Sequence, residues 1–166
     1  MLVLLLGLVL FLGVHSVRIV APGWREAMIA RRGENAWKGV YSVVAGLGLV
    51  LIVWGYGLAR ADPVILYSPP IWARHVALVL MMPVFVMLAA AYIPGRIKSA
   101  LKHPMLASVK LWAVAHLIAN GTLADVLLFG SFLVWAVLDR ISLKRRPAGS
   151  NDAPQLPPAP ANDLIA

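Results

Sequence analysis

The stretch Leu2–Val20, LVLLLGLVLFLGVHSVRIV, decides the class of this chain. It is long enough to cross the hydrocarbon of a bilayer, and it carries an imidazole at His15 and a guanidinium at Arg18. Lipid cannot hydrogen-bond either group, so each must face protein, cofactor or water. Three further apolar runs repeat the pattern. Val40–Ala59 holds tyrosine among glycines, Val76–Tyr92 follows Arg74 and His75, and Leu111–Leu138 contains His116, Asn120 and Asp125. The reading is a polytopic membrane bundle with something polar inside it.

Composition agrees. Of the 166 residues, 61% are hydrophobic and 13% charged, with mean hydropathy +0.82. Soluble domains are about half apolar and a quarter charged, so nearly all of this chain lies in or against a bilayer. One bundle is the economical arrangement at this length. There is no cysteine, which removes disulfides, thiolate-held iron–sulfur clusters, thiolate-ligated haem and cysteine nucleophiles. The first segment lacks a basic leader and a small-x-small cleavage site, and is read as a retained helix.

The net charge of +8 is explained by where the cations fall. Arg18, Arg25, Arg31, Arg32 and Lys38 lie in the first loop region, and only Arg60 and Arg74 in the second. Arg96, Lys98, Lys102 and Lys110 lie in the third, the turn at Asn120-Gly121 has none, and Arg140, Lys144, Arg145 and Arg146 follow the last span. Alternation of rich and poor loops orients helices during insertion. It gives five spans with the N-terminus outside and the C-terminus in the cytoplasm. Nucleic acid is not an expected partner, because no aromatic-basic interleaving offers a stacking platform; anionic lipid head groups are.

The expected fold is therefore all-α, a membrane helix bundle of about five transmembrane helices. The spans are Leu2–Val20, Lys38–Leu58, Ile71–Tyr92, Pro104–Asn120 and Thr122–Leu138. Ala21-Pro22-Gly23 stops the first, and a basic polar segment from Trp24 to Trp37 follows. Gly39, Gly46, Gly48, Gly55 and Gly57 suit close helix packing in lipid. Pro83 is expected to kink the third span. Arg96 to His103 is read as a basic loop, and the fourth span, about 25 Å long, is slightly short for a full crossing. Residues 1–146 form the transmembrane domain. From Pro147 to Ala166, five prolines and few large apolar residues make a disordered cytoplasmic tail.

His15 and Arg18 share a face of the first helix with Phe11, and Trp112, His116 and Asn120 share a face of the fourth. Two histidines on different helices could clamp a haem iron. Arg18 or Lys110 would then pair with a propionate, and Asn120 would orient His116. Alternatively, each histidine bonds a neighbouring backbone. At 1.5 Å per residue, His15 lies about 20 Å from Met1 and His116 about 6 Å from the turn, so a shared iron requires strong tilt or a protruding N-terminus. A metal site of His15 with His103 is the depth-matched alternative. His75 and His103 also suit interfacial anchoring. Asp125 either caps the fifth helix or pairs with Asn120. Phosphate-cradling glycine loops, zinc-protease helices and nucleophile elbows are missing, and Ser99-Ala-Leu-Lys102 matches a serine–lysine motif only formally.

Several stretches in order resemble the NnrU family of bacterial membrane proteins. They are Gly13-Val-His-Ser16, Trp37-Lys-Gly-Val-Tyr-Ser42, Gly55-Tyr-Gly57, Pro70-x-Trp72-x-x-His75 and Lys102-His-Pro-Met105. Lys110-Leu-Trp-Ala-Val-Ala-His116, Asn120-Gly-x-x-Ala-Asp125 and Phe129-Gly-Ser131 complete the series, which spans about Leu2 to Arg146. The resemblance implies a multi-pass protein of the bacterial inner membrane, associated with nitrogen-oxide respiration and its reductases. It is also similar to the 15-cis-zeta-carotene isomerase of plants, a membrane haem protein that isomerises a polyene without net redox change. That likeness implies haem b, His15 and His116 as its ligands, and a lipophilic substrate. It also places a family cysteine at Ala113, so a thiolate ligand switch has no counterpart here. The alternatives kept are an accessory or assembly factor without cofactor, and an isomerase-like enzyme.

Overall fold

The computed structural model describes residues 1–93 and 95–145. Seven helices follow in order: α1 Leu2–Val20, α2 Pro22–Arg32, α3 Glu34–Ala61, α4 Ile71–Tyr92, α5 Arg96–Leu101, α6 Pro104–Ala119 and α7 Leu123–Arg145. Among the described residues the only ladder contact is an isolated bridge between Ile65 and Thr122. The class is all-α. Residues 147–166, read from sequence as a tail, lie outside the described residues.

Four helices, α1, α3, α4 and α7, are long and apolar enough to cross a membrane, and α6 is a shorter apolar helix. Only 17–22% of each long apolar window is buried. The remainder, including Val43, Leu47, Val50 and Trp54 on α3, is exposed apolar surface of the kind that lipid covers. The five expected apolar segments are all helical, and the fourth is the short one.

Boundaries differ where polar residues carry a helix beyond the apolar run. α3 begins at Glu34, not Lys38, and ends at Ala61; α7 continues to Arg145, past Leu138. The segment after α1 is itself a helix, because Pro22 occupies the first turn, where a missing N–H costs nothing. Gly33 separates α2 from α3 with φ +83 and ψ 156, a conformation essentially restricted to glycine. Within the basic loop lies the short α5. α4 runs from Ile71 to Tyr92 with Pro83 inside it.

The described residues divide into two compact units, residues 1–67 with 122–131, and 68–121 with 132–145. In the first, α1 packs mainly on α3, and the pair is antiparallel. Leu4 meets Gly55, Gly7 meets Ile52 and Phe11 meets Gly48. A Cβ added at Gly7 would lie 2.5 Å from the backbone nitrogen of Ile52, and one at Gly48 would lie 2.7 Å from that of Phe11. Gly48, Ile52, Gly55 and Ala59 recur every three or four residues, so they share the buried face of α3. Close backbone approach supplies the dispersion contacts that stand in for the hydrophobic effect inside lipid. Gly39, Gly46 and Gly57 meet nothing within 4 Å, so only two of the five glycines expected to mediate packing do so here.

In the second unit α4 packs on α6. The buried positions of α4 are Ala73, Ala77, Val84 and Ala90; those of α6 include Leu106, Ser108, Ala113 and Ala115. Alanines thus recur among the buried positions of both helices. Ser108, fully buried, donates its hydroxyl to the Met105 carbonyl at 2.7 Å and so carries no unmet polar cost.

Candidate functional site

The polar groups singled out above fall into three clusters, two in the first unit and one in the second.

Three elements meet at the first cluster: the end of α1, α2, and the start of α3. A cavity of about 260 Å³ opens there, lined by Val14, His15, Val17, Arg18, Arg25, Glu34, Trp37, Lys38 and Tyr41. The helical register of α1 turns His15 and Arg18 to the same side, as their spacing required. The His15 ring stacks on Phe11 at 4.3 Å between centroids and lies 5.2 Å from the Tyr41 ring. Nδ1 of His15 is 2.6 Å from the Phe11 carbonyl oxygen. A carbonyl only accepts, so Nδ1 is the donor in this bond. A hydrogen bond of this kind fixes a metal-ligating imidazole's tautomer and raises its basicity.

Four charged residues line this cavity. Arg18 comes from α1, Arg25 from α2 and Lys38 from α3, with Glu34 the one carboxylate among them. Lys38 and Glu34 form an exposed i,i+4 ion pair at 2.9 Å. Trp24 and Trp37 meet edge-to-face at 5.7 Å, and tryptophan favours the depth of lipid head groups. Sequence reading treated Arg25 and Lys38 as topological charges and passed over Glu34 and Tyr41. The i,i+4 spacings of Glu34 with Lys38 and Trp37 with Tyr41 were the available signal.

Asp125 centres the second cluster, at 4% exposure. Its Oδ2 accepts from the Thr122 backbone N–H at 3.0 Å and the Thr122 hydroxyl at 2.6 Å, while the Thr122 Oγ1 accepts from the Asp125 N–H at 3.2 Å. This is a reciprocal cap on α7, with Asp standing where Glu or Gln is more usual. The Tyr56 hydroxyl donates to Asp125 Oδ1 at 2.6 Å, and Leu123 N–H donates to the Val64 carbonyl at 2.8 Å. Arg60 lies 5.9 Å from the Tyr56 ring centroid. The cap expected of Asp125 is present, and its second partner is Tyr56 of α3. Every one of these bonds satisfies a helix end or a buried carboxylate, so the cluster is architectural.

Trp112, His116 and Asn120 form the third cluster, on one face of α6 as their spacing required. The Trp112 ring meets His116 at 5.4 Å and Phe132 at 5.6 Å, both edge-on. Asn120 Nδ2 donates to the His116 carbonyl at 2.9 Å and lies 3.5 Å from the His116 Nδ1. The longer distance is too great to fix the tautomer. Asn120 therefore holds the backbone of the His116 turn more firmly than its ring. Lys110 lies half-buried on the same helix, and Ala113 is fully buried.

Of the remaining candidates, His75 is exposed near the start of α4, His103 precedes α6, and the Ser99 hydroxyl donates to the Arg96 carbonyl at 2.8 Å. Among the described residues no group of three or more His, Asp or Glu is placed to hold a metal ion.

A family model described as NnrU protein matches residues 3–164. No curated protein and no solved structure matches the chain. With apolar membrane-length helices, and with that model covering nearly its whole length, the chain belongs to the NnrU family.

Proposed function

We propose that this NnrU-family membrane protein binds haem b in the service of nitrogen-oxide or other redox metabolism. In this reading His15 and His116 are the iron ligands, Arg18 or Lys110 holds a propionate, and Trp112 and Asn120 position His116. One observation supports it above the rest. The Nδ1 of His15 is hydrogen-bonded to the Phe11 carbonyl, the arrangement that orients an imidazole ligating a metal through its other nitrogen. The cations beside it suit the carboxylates of such a cofactor. Bound haem would supply a Lewis-acid or redox centre for a lipophilic substrate reaching it from the bilayer. The chain's own part is to hold the imidazoles, exclude water with its apolar helices and neutralise the propionates. The protein would sit in a bacterial cytoplasmic membrane, N-terminus outside, where respiratory nitrogen-oxide enzymes are its expected partners.

Visible spectroscopy of the protein purified in detergent, oxidised and reduced, tests the reading. A Soret band lost in His15→Ala and in His116→Ala supports it; a band lost in only one variant removes the other histidine from the ligand set. A colourless protein that melts cooperatively overturns it in favour of an accessory or assembly factor whose histidines fasten helices. An isomerase-like polyene chemistry would have to proceed without the thiolate of its plant counterpart, since Ala113 stands at that position.

A further inference from the structure

We infer that the cavity between α1, α2 and α3 binds a phosphate group, carried by an anionic lipid or free. Three cations from three separate helices line a space of about 260 Å³. Together they set up a positive field that attracts a small anion. Glu34 supplies one negative charge and is engaged by Lys38, which leaves the lining at three cations against one carboxylate. Arginine's planar fork of donors matches phosphate oxygens, and Arg18 and Arg25 supply two of them. The position fits a lipid source. The apolar run of α1 gives out at Arg18 and that of α3 starts just after Lys38, with the Trp24–Trp37 pair alongside. Volume agrees: pockets for drug-sized ligands run from about 300 to 1,000 Å³, so this smaller one is of a size for a head-group phosphate. The inference rests on the cavity and does not require haem.

The test uses the full chain in detergent with three probes: phosphatidylglycerol, phosphatidylcholine and inorganic phosphate. Native mass spectrometry and thermal shift read binding. The wild-type protein is expected to retain phosphatidylglycerol over phosphatidylcholine. Arg25→Gln with Lys38→Gln is expected to weaken that retention roughly ten- to thirtyfold, and Glu34→Gln to strengthen it. If inorganic phosphate binds as well as the lipid and is lost in the same variant, the site is a phosphate site with a soluble ligand. Equal binding of all probes by wild type and double variant overturns the proposal. Should the double variant fail to fold, Arg25→Gln and Glu34→Gln must still move binding in opposite directions, and identical binding in both overturns it. Absorbance of any bound haem is read in the same samples: haem lost with lipid binding intact assigns these cations to the cofactor and also overturns the proposal.

Discussion

The Tyr56 hydroxyl donates to the buried Asp125 carboxylate at 2.6 Å, tying α3 to the start of α7 across 69 residues of sequence. The Thr122 cap holds the other carboxylate oxygen, so both oxygens of Asp125 are engaged. Removing one donor leaves a charged acceptor partly unmet in a place water reaches poorly. Tyr56→Phe is expected to cost about 1–2 kcal/mol, read as a lower melting temperature in detergent. Asp125→Ala is expected to cost more, because it removes the α7 cap as well.

Gly48 and Gly55 set the distance between α1 and α3. Alanine at either would drive a methyl into the backbone of α1, so Gly48→Ala and Gly55→Ala are each expected to lose about 1–3 kcal/mol by overpacking. Gly57→Ala, on the same helix in open space, is the control and is expected to melt at or above the wild-type temperature. Equal losses at all three positions would show that the α1–α3 contact does not govern the effect, since helix propensity by itself favours alanine.

Asn120→Ala removes the side-chain donor at the end of α6 but leaves the backbone bond from Asn120 N–H to the His116 carbonyl at 2.9 Å. The stability loss is expected to stay near 1 kcal/mol or below. If haem binds as proposed, the Soret band should persist in this variant with a shifted position or reduction potential, the signature of a residue acting through the His116 turn.

Tyr67 lies in the loop between α3 and α4, outside the membrane-crossing helices. Burial holds its phenol above the usual value of about 10, and the Asp125 carboxylate adds to the rise. The folded protein thus binds this proton more tightly than the unfolded chain does. The associated stability is fully present below pH ~10 and is lost as pH rises through the folded value. Tyrosinate absorbance compared between wild type and Tyr67→Phe should show the missing phenol titrating on the alkaline side of a free tyrosine.

The extent to which these features were legible varied with the distance over which they act. His15 with Phe11, and Trp112 with His116 and Asn120, could be grouped from spacing because helical periodicity alone puts such residues on one face. The Asp125 cap was equally local. Tyr56 could not be paired with Asp125 in advance, since nothing along 69 residues announces the meeting. Arg25 and Lys38 were seen only as topological charges. Their convergence with Arg18 depends on α2 folding into a helix and on the glycine-only turn at Gly33, and the apolar pattern contains neither.

Chain chemistry by itself determined that this is a helical membrane protein and where its five apolar helices lie, to within a few residues at their ends. The reason is that a bilayer leaves a polypeptide few choices: its backbone must bond internally and its polar side chains must find company. Tertiary packing decided which small residues meet, which carboxylate is shared between helices, and which cations crowd one cavity. Those outcomes hang on contacts a few ångströms across between segments far apart in sequence, and only the folded backbone brings them within range.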